Sequence, residues 1–524
     1  MVQSSTRPKI DAVDLSPNIP RLMAKEPSSR RGVLGHNVPH RKLEGILNLP
    51  PDKKLIGSQW VFKIKLKADG SLERYKARLV ALGNHQVEGI DYTETFAPVV
   101  KMTTVRLILD IAAKRNYEVH QMDVHNAFLH GDLDEEVYMK PPPGFSQPGD
   151  KRVCRLRKSI YGLKQSPRCW FAKLADALQK YGFKQTKSDY SLFVFHHGGV
   201  SLQILVYVDD LIISGNSSSA IKEFKDYLST CFHMKDLGAA KYFLGLEIAR
   251  GPLGFYICQR KYAIDILSEA GMLGCKPMGS PVEQNHRLSL SNSPLLPDPA
   301  PYRRLVGRLV YLASTRPDLA YAIHILSQFM QKPQEEHWFA ALRVLRYLKG
   351  TIGQGILLRA YSSFHLTGWC DSDHASCPLS RKSLTGWIVQ FGDSPISWKT
   401  KKQKTVSQSS AEAEYRAMGA ITKELRWLKS LLSEIGIDHA EPMSIRCDSQ
   451  AALHISANPV FHERTKYIEV ECHSIREKIL DGTVKASHVS TTEQLADILT
   501  KTLGRKEFAS FLDKLGIQNL YAPT

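Results

Sequence analysis

Leu202-Gln203-Ile204-Leu205-Val206-Tyr207-Val208-Asp209-Asp210-Leu211-Ile212-Ile213-Ser214-Gly215 sets an adjacent pair of aspartates between two apolar, β-branched runs. Ile204–Val208 and Leu211–Ile213 each have the composition of a short strand, which predicts a hairpin with Asp209-Asp210 at its tip. An ordinary tight turn would use Asn-Gly or Asp-Gly, because glycine accepts the positive φ that such turns need. Two carboxylates side by side repel, and an apolar hairpin offers little solvent to dilute the repulsion. A hard divalent cation such as Mg²⁺, which takes carboxylate oxygen, is the natural remedy.

The rest of the chain suits a polyanionic partner. Its 524 residues have room for roughly two to four domains with full cores. A net charge of +18 and a pI near 9.3 favour nucleic acid. No apolar run approaches the length of about 18 residues that a membrane span needs, so no membrane partner is expected. The N-terminus, Met-Val-Gln-Ser-Ser-Thr-Arg-Pro, has no apolar core of a secretory signal. Nine scattered cysteines without a Cys-X-X-Cys point to a reducing, intracellular compartment, cytoplasmic or nuclear, and away from zinc ribbons.

Working outward from the hairpin, Gln59–Leu66 and Arg74–Ala81 read as a second hairpin turned by Asp69-Gly70. It carries Lys63, Lys65, Lys67, Arg74, Lys76 and Arg78. That pattern suits either a solvated strand face or a basic flap over a triphosphate. Met102–Lys114 has apolar residues at helical spacing, and a short strand after it ends near Asp123. Phe128 follows five positions later, as a core aromatic or as a group facing a ligand.

These segments, read together, resemble a known family. Lys76-Ala77-Arg78-Leu79-Val80-Ala81, Gly89-Ile90-Asp91-Tyr92-Thr93-Glu94-Thr95-Phe96-Ala97-Pro98-Val99 and Asn126-Ala127-Phe128-Leu129-His130-Gly131 are similar to the pol region of copia-type LTR retrotransposons, particularly plant ones. So are Ser159-Ile160-Tyr161-Gly162-Leu163-Lys164-Gln165-Ser166-Pro167-Arg168 and the Val208-Asp209-Asp210 hairpin, and the likeness runs from about Trp60 to Leu503. His125 departs from it, standing where the family usually has Asn. The resemblance implies that Asp123, Asp209 and Asp210 hold two Mg²⁺ or Mn²⁺ ions. It makes Phe128 the aromatic that excludes a 2′-hydroxyl, and places Lys76, Arg78 and Gln165 around the incoming nucleotide and template. Tyr242–Ile248 resembles the hairpin that presents the primer 3′ end.

A second acidic series lies toward the C-terminus. Phe364–Asp371 reads as a strand ending in Asp371, and Gly386–Phe391 and Pro395–Lys399 supply two more. Ser409-Ser410-Ala411-Glu412 opens a helix with Ser at the cap and acid in its first turn. Met443–Gln450 contains a strand ending near Asp448, and an acid, Asp497, stands at a later helix start. This order resembles an RNase H domain. The resemblance assigns Asp371, Glu412, Asp448 and Asp497 as its carboxylates, with a second pair of metal ions, and His488 as its mobile histidine.

The fold class expected is therefore α+β: a right-hand reverse transcriptase with fingers, palm and thumb, followed by an α/β RNase H-like domain. The boundaries expected are a basic leader over 1–54 from composition, fingers and palm over 55–275 as the resemblance implies, and a Pro/Ser-rich linker or loop over 276–301 from composition. Thumb or connection helices follow over 302–363, then the RNase H-like domain over 364–505 and a tail over 506–524. The function implied is RNA-directed DNA synthesis with hydrolysis of RNA in hybrids, using an RNA template, a DNA primer, dNTPs and RNA–DNA hybrid. The alternative is a non-catalytic or degenerate nucleic-acid-binding product of such an element, since no protease, integrase or Cys-rich knuckle motif is present.

Overall fold

Side chains of a strand alternate between faces, and here that alternation builds two layers of core. The computed structural model describes residues 46–519 apart from 52, 68, 146–150 and 458–468. Residues 1–45 of the expected leader and 520–524 of the expected tail lie outside the described residues. The central antiparallel sheet runs in the order Met234–Ala239, Glu118–Val124, Asp210–Gly215, Val200–Tyr207, Leu192–His197 and Lys184–Gln185. Met122, Val124, Ile204, Leu211 and Ile213 are buried with Trp170, Leu174, Phe224 and Leu228 of helices Ser166–Tyr181 and Ser218–Cys231. Val119, Leu205 and Ile212 take the opposite face, buried with Leu107, Ile108 and Ile111 of helix Met102–Lys114.

The basic hairpin forms as Ser58–Leu66 and Leu72–Ala81, paired only with each other. Its turn is held by Asp69, whose Oδ1 accepts from the Ser71 amide at 2.8 Å. Cross-strand register puts Lys63 against Lys76 and Lys65 against Arg74, while Phe62, Ile64, Leu66 and Tyr75 are exposed.

Two segments are packed more tightly than expected. Residues 276–301 are irregular, with one 3₁₀ turn at Leu288–Leu290, but they are no free linker. Met278 donates its amide to Arg346 O, and His337 Nε2 lies 2.9 Å from Leu288 O, which ties the segment onto helix Glu335–Gly350. Prolines kept the segment from forming an element, and backbone hydrogen bonds still bound it. The expected tail likewise forms helix Arg505–Lys514 and strand Ile517–Asn519. That strand pairs with Gln354–Arg359, at the edge of a sheet that also contains Gly254–Cys258, Leu246–Gly251 and Tyr242–Phe243. Phe508 and Phe511 enter the same core as helices Ala300–Leu312 and Glu335–Gly350.

The last sheet has the order Ser394–Lys402, Leu384–Phe391, Leu366–Ser372, Met443–Cys447, Val484–His488. Its first three strands are antiparallel and the last two join in parallel. Helix Ser410–Glu434 connects the two halves. This is the RNase H-like arrangement.

The described residues from Leu47 onward form one compact unit, because this sheet docks directly on the palm. Arg106, buried within helix Met102–Lys114, donates Nε to Ile396 O at 2.7 Å and Nη1 to Ser314 O. Its guanidinium lies 3.8 Å from the centroid of Trp398. Lys114 donates to Phe391 O at 2.7 Å and pairs with the buried Asp110, whose carboxyl burial pushes up to about 6. Trp427 donates to Ser188 O from the other side. Arg106→Ala strands two acceptors at this seam, and each unpaired buried group costs about 1–3 kcal/mol. The urea midpoint is expected to fall accordingly, and an unchanged midpoint would mean the seam contributes little stability.

Candidate functional site

The hairpin turn is displaced by one residue from the predicted tip. Tyr207 pairs with Asp210, so the turn residues are Val208 and Asp209, and Asp210 begins the second strand. Val208 has φ of 54°, a region that costs a β-branched residue about 1–3 kcal/mol. Trp170 Nε1 donates to Val208 O at 2.6 Å, and Val124 N donates to Asp209 O at 2.9 Å. These bonds, made by a buried tryptophan and a neighbouring strand, hold the strained turn in place.

Strand pairing then collects the acids. Asp123 is the cross-strand partner of Asp210, and Gln121 Nε2 lies 3.4 Å from Asp210 Oδ1. Burial raises the carboxyl of Asp209, with Asp123 adding to it. Burial and then Asp209 push Asp210 up to about 6. Lys76 is lowered by burial and by Arg78, while Asp123 is close enough to pull the other way. The Arg78 guanidinium sits 4.6 Å from the ring centroid of Tyr161, and Phe128 packs edge-on against that ring at 4.9 Å. Tyr161, to which no role was assigned from sequence, thus joins Phe128 to Arg78 beside the aspartates. Its neighbours in sequence, Ile160 and Gly162, carry no charge that would have marked it.

Gln165 is placed differently from expectation. It is fully buried, accepts from Gln86 Nε2 at 2.9 Å and donates to Asp91 O at 3.0 Å. A side chain so enclosed holds the fingers loop and cannot touch a nucleotide. His125 faces His233, with ring centroids 4.8 Å apart.

In the second site, Asp371, Asp448 and Asp497 bring carboxylate oxygens within 4.8 Å of one another. Glu412 does not join them. It accepts from Gln408 N at 2.8 Å and pairs with Arg416 at 2.8 Å, while its own amide is capped by Ser409. Glu414 stands in its place, accepting from the Ser372 amide at 3.1 Å and lying within 4.8 Å of Cys447 and Asp448 ligand atoms. The signal was present in the helix periodicity: Glu414, Met418, Ile421, Leu425 and Leu428 share one stripe, whereas Glu412, though also buried, points away from it and forms an i,i+4 pair with Arg416. His488 ends its strand, exposed, as the partner of Cys447.

A resident cation was also missed. Lys501 Nζ lies 2.9 Å from Asp497 Oδ2 and 3.9 Å from Asp371 Oδ1, and Thr500 Oγ1 donates to Asp371 Oδ2. Burial opposes the charge of Lys501, but Asp371 and Asp497 raise it overall. One ammonium does not balance four carboxylates. Asp497 Oδ1 is buried without a hydrogen-bond partner, and burial and Asp371 push its carboxyl up to about 8. Burial, Asp371 and Cys447 push Glu414 up to about 10. A donor set of clustered hard oxygens with one orphaned atom fits divalent cations.

These shifts set a pH dependence. The folded chain keeps protons on Asp497 and Glu414 that the unfolded chain releases near its ordinary values of 3.8 and 4.5. Folding stability from these groups is therefore present at low pH and lost as pH rises toward about 8 and about 10. In EDTA, the melting temperature is expected to fall between about pH 5 and about pH 8, and Mn²⁺ is expected to reverse the fall. A flat profile, or one indifferent to Mn²⁺, would contradict the uncompensated cluster.

Comparison with known proteins agrees with this architecture. Residues 42–284 match the family described as Reverse transcriptase (RNA-dependent DNA polymerase). The Retrovirus-related Pol polyprotein from transposon RE2 of Arabidopsis thaliana is 47% identical over 469 residues, 89% of this chain and 32% of that protein. The chain thus spans about a third of the length of such Pol relatives. The Putative transposon Ty5-1 protein of Saccharomyces cerevisiae is 34% identical over 298 residues, 56% of this chain and 97% of that protein. Among solved structures, the foamy viral protease-reverse transcriptase in complex with dsDNA aligns with 82% of this chain and 75% of its own, at 12% identity and a TM-score of 0.19. The chain belongs to the copia-type retrotransposon Pol family, with a reverse transcriptase domain matched over residues 42–284.

Proposed function

We propose that the chain is an RNA-directed DNA polymerase whose second site hydrolyses the RNA strand of RNA–DNA hybrids. The observation that supports it most is register: Asp123 pairs with Asp210, and Asp209 occupies the adjoining turn. Three carboxylates from two distant segments are therefore set together at the end of two adjacent central strands, at the cost of a strained valine. All seven acids of the two sites are present once Glu414 replaces Glu412.

Asp123, Asp209 and Asp210 would hold two Mg²⁺ or Mn²⁺ ions, which lower the pKa of a primer 3′-hydroxyl and neutralise departing pyrophosphate. Lys76 and Arg78, on the basic face of the hairpin, bind the triphosphate of a dNTP and orient it toward those strand ends. Phe128, backed by Tyr161, forms the surface beneath the sugar. The leading RNA template and DNA primer meet a chain of charge +18, which favours phosphate contacts along the duplex. In the second site Asp371, Glu414, Asp448 and Asp497 would hold the cations, Lys501 would share their charge, and His488 lies at the exposed rim where it could assist release.

Phe128→Ala is expected to relax discrimination against rNTPs by roughly 10–100-fold, the worth of a small change in a packed pocket. Unchanged selectivity in single-nucleotide incorporation would make Phe128 a core residue only. The test of the whole reading is primer extension on poly(rA)/oligo(dT) with Mg²⁺ or Mn²⁺. No extension by well-folded protein would overturn it.

A further inference from the structure

The acids of the second site do not form a uniform oxygen cluster. Strands Leu366–Ser372 and Met443–Cys447 run parallel, with Trp369 beside Arg446. That register puts Cys370 and Cys447 side by side, each immediately before an acid, Asp371 and Asp448. Cys447 is fully buried, and its Sγ lies 3.9 Å from Glu414 Oε2. Ligand atoms of Glu414, Cys447 and Asp448 all fall within 4.8 Å of one another, as do those of Asp371, Asp448 and Asp497. Two three-ligand cups therefore share Asp448, one entirely of oxygen and one containing sulfur. Asp497 Oδ1, buried and without a hydrogen-bond partner, lies in the adjoining cup that shares Asp448.

We propose that Cys447, Glu414 and Asp448 form a binding site for a thiophilic divalent cation, Zn²⁺ or Cd²⁺, distinct in chemistry from the all-oxygen cup. The proposal rests on the reading that these carboxylates line one metal-binding pocket. Mg²⁺ prefers oxygen and gains little from a thiol. Zn²⁺ binds thiolate sulfur at about 2.3 Å and carboxylate oxygen at about 2.0–2.2 Å, which puts tetrahedral neighbours about 3.5 Å apart. The observed 3.9 Å separation closes with a movement of a few tenths of an ångström. Binding forms a sulfur–metal bond, breaks the S–H bond of Cys447 and releases that proton to buffer. Because Asp448 belongs to both cups, a cation held by Cys447 withdraws a ligand from the pair that hydrolysis needs. The polymerase site has no sulfur among Asp123, Asp209 and Asp210, so it is spared. The consequence is selective: Zn²⁺ silences RNA cleavage at concentrations that leave DNA synthesis running.

The test is titration of the full chain with Cd²⁺, read as the ultraviolet thiolate-to-metal absorption, beside Mn²⁺ binding read by electron paramagnetic resonance. Wild-type protein is expected to develop the band. Cys447→Ser and Cys447→Ala are expected to lose it, with Cd²⁺ affinity weaker by more than about 100-fold, since even outer-shell changes cost about 10–100-fold. Cys377→Ser, a change away from the pocket, is expected to keep it. The Cys447 variants are expected to retain Mn²⁺ binding and to cleave hybrid in Zn²⁺ concentrations that stop the wild type. A band that survives both Cys447 substitutions, or none in protein that binds Mn²⁺, overturns the thiol site while leaving the carboxylate site standing. Failure to bind either ion overturns both.

Discussion

Asp210→Asn is expected to reduce primer extension by on the order of 10³-fold, equivalent to about 4 kcal/mol of transition-state stabilisation. The substitution keeps the shape of the side chain and its place opposite Asp123, with Gln121 still within reach. It removes the negative charge that would hold a cation at the strand ends. It also relieves repulsion: Asp210 is pushed up to about 6 by burial and by Asp209, so a neutral amide there should make the protein no less stable. Loss of activity together with an unchanged or higher melting temperature is the signature of a functional carboxylate. A matching loss of stability would instead mark Asp210 as structural. Extension at the wild-type rate would end the two-metal reading of Asp123, Asp209 and Asp210, and with it the polymerase proposal.

The second large effect separates two glutamates that stand two residues apart. Glu414→Gln is expected to lower cleavage of hybrid RNA by on the order of 10³-fold, because it removes a carboxyl group that a cation would convert to a charged ligand in the pocket with Asp448. Primer extension should persist in that variant, since the three palm aspartates are untouched. Glu412→Gln should leave cleavage near wild type and cost about 0.5–2 kcal/mol, the worth of a helix cap, through its bonds to the Gln408 amide and Arg416. The reverse ranking in a gel assay on a labelled RNA–DNA hybrid would restore Glu412 to the site. The structural reason to expect otherwise is plain: an acid satisfied by a capped amide and an arginine has little charge left to offer a cation.

The seam at helix Met102–Lys114 fixes how the two sheets sit on one another. Its inner face packs on the palm sheet while Arg106 and Lys114 reach strands of the RNase H-like sheet.

Local chemistry was legible in the sequence wherever it depended on near neighbours. The hairpin at Tyr207–Asp210, helix Met102–Lys114 and the strand carrying Asp123 follow from apolar periodicity and from two acids that only a cation could reconcile. Their meeting followed from resemblance and is explained by strand register. What periodicity could not decide was which atoms face inward at an element's end. The turn slipped one residue onto Val208 because Trp170 and Val124, distant in sequence, supply the bonds that hold its carbonyl and that of Asp209. Gln165 is polar and follows a loop, yet Gln86 and Asp91 enclose it. Glu412 and Glu414 differ by about 200° around a helix, and only the packing of that helix on its sheet decided which one reaches Asp448. Composition likewise marked 276–301 as punctuation, because prolines and polar residues disfavour regular elements, and 506–524 was expected only as a tail. Tertiary structure decided that both are packed, since a backbone amide near a hydrophobic core finds a partner there or pays the full cost of being left without one.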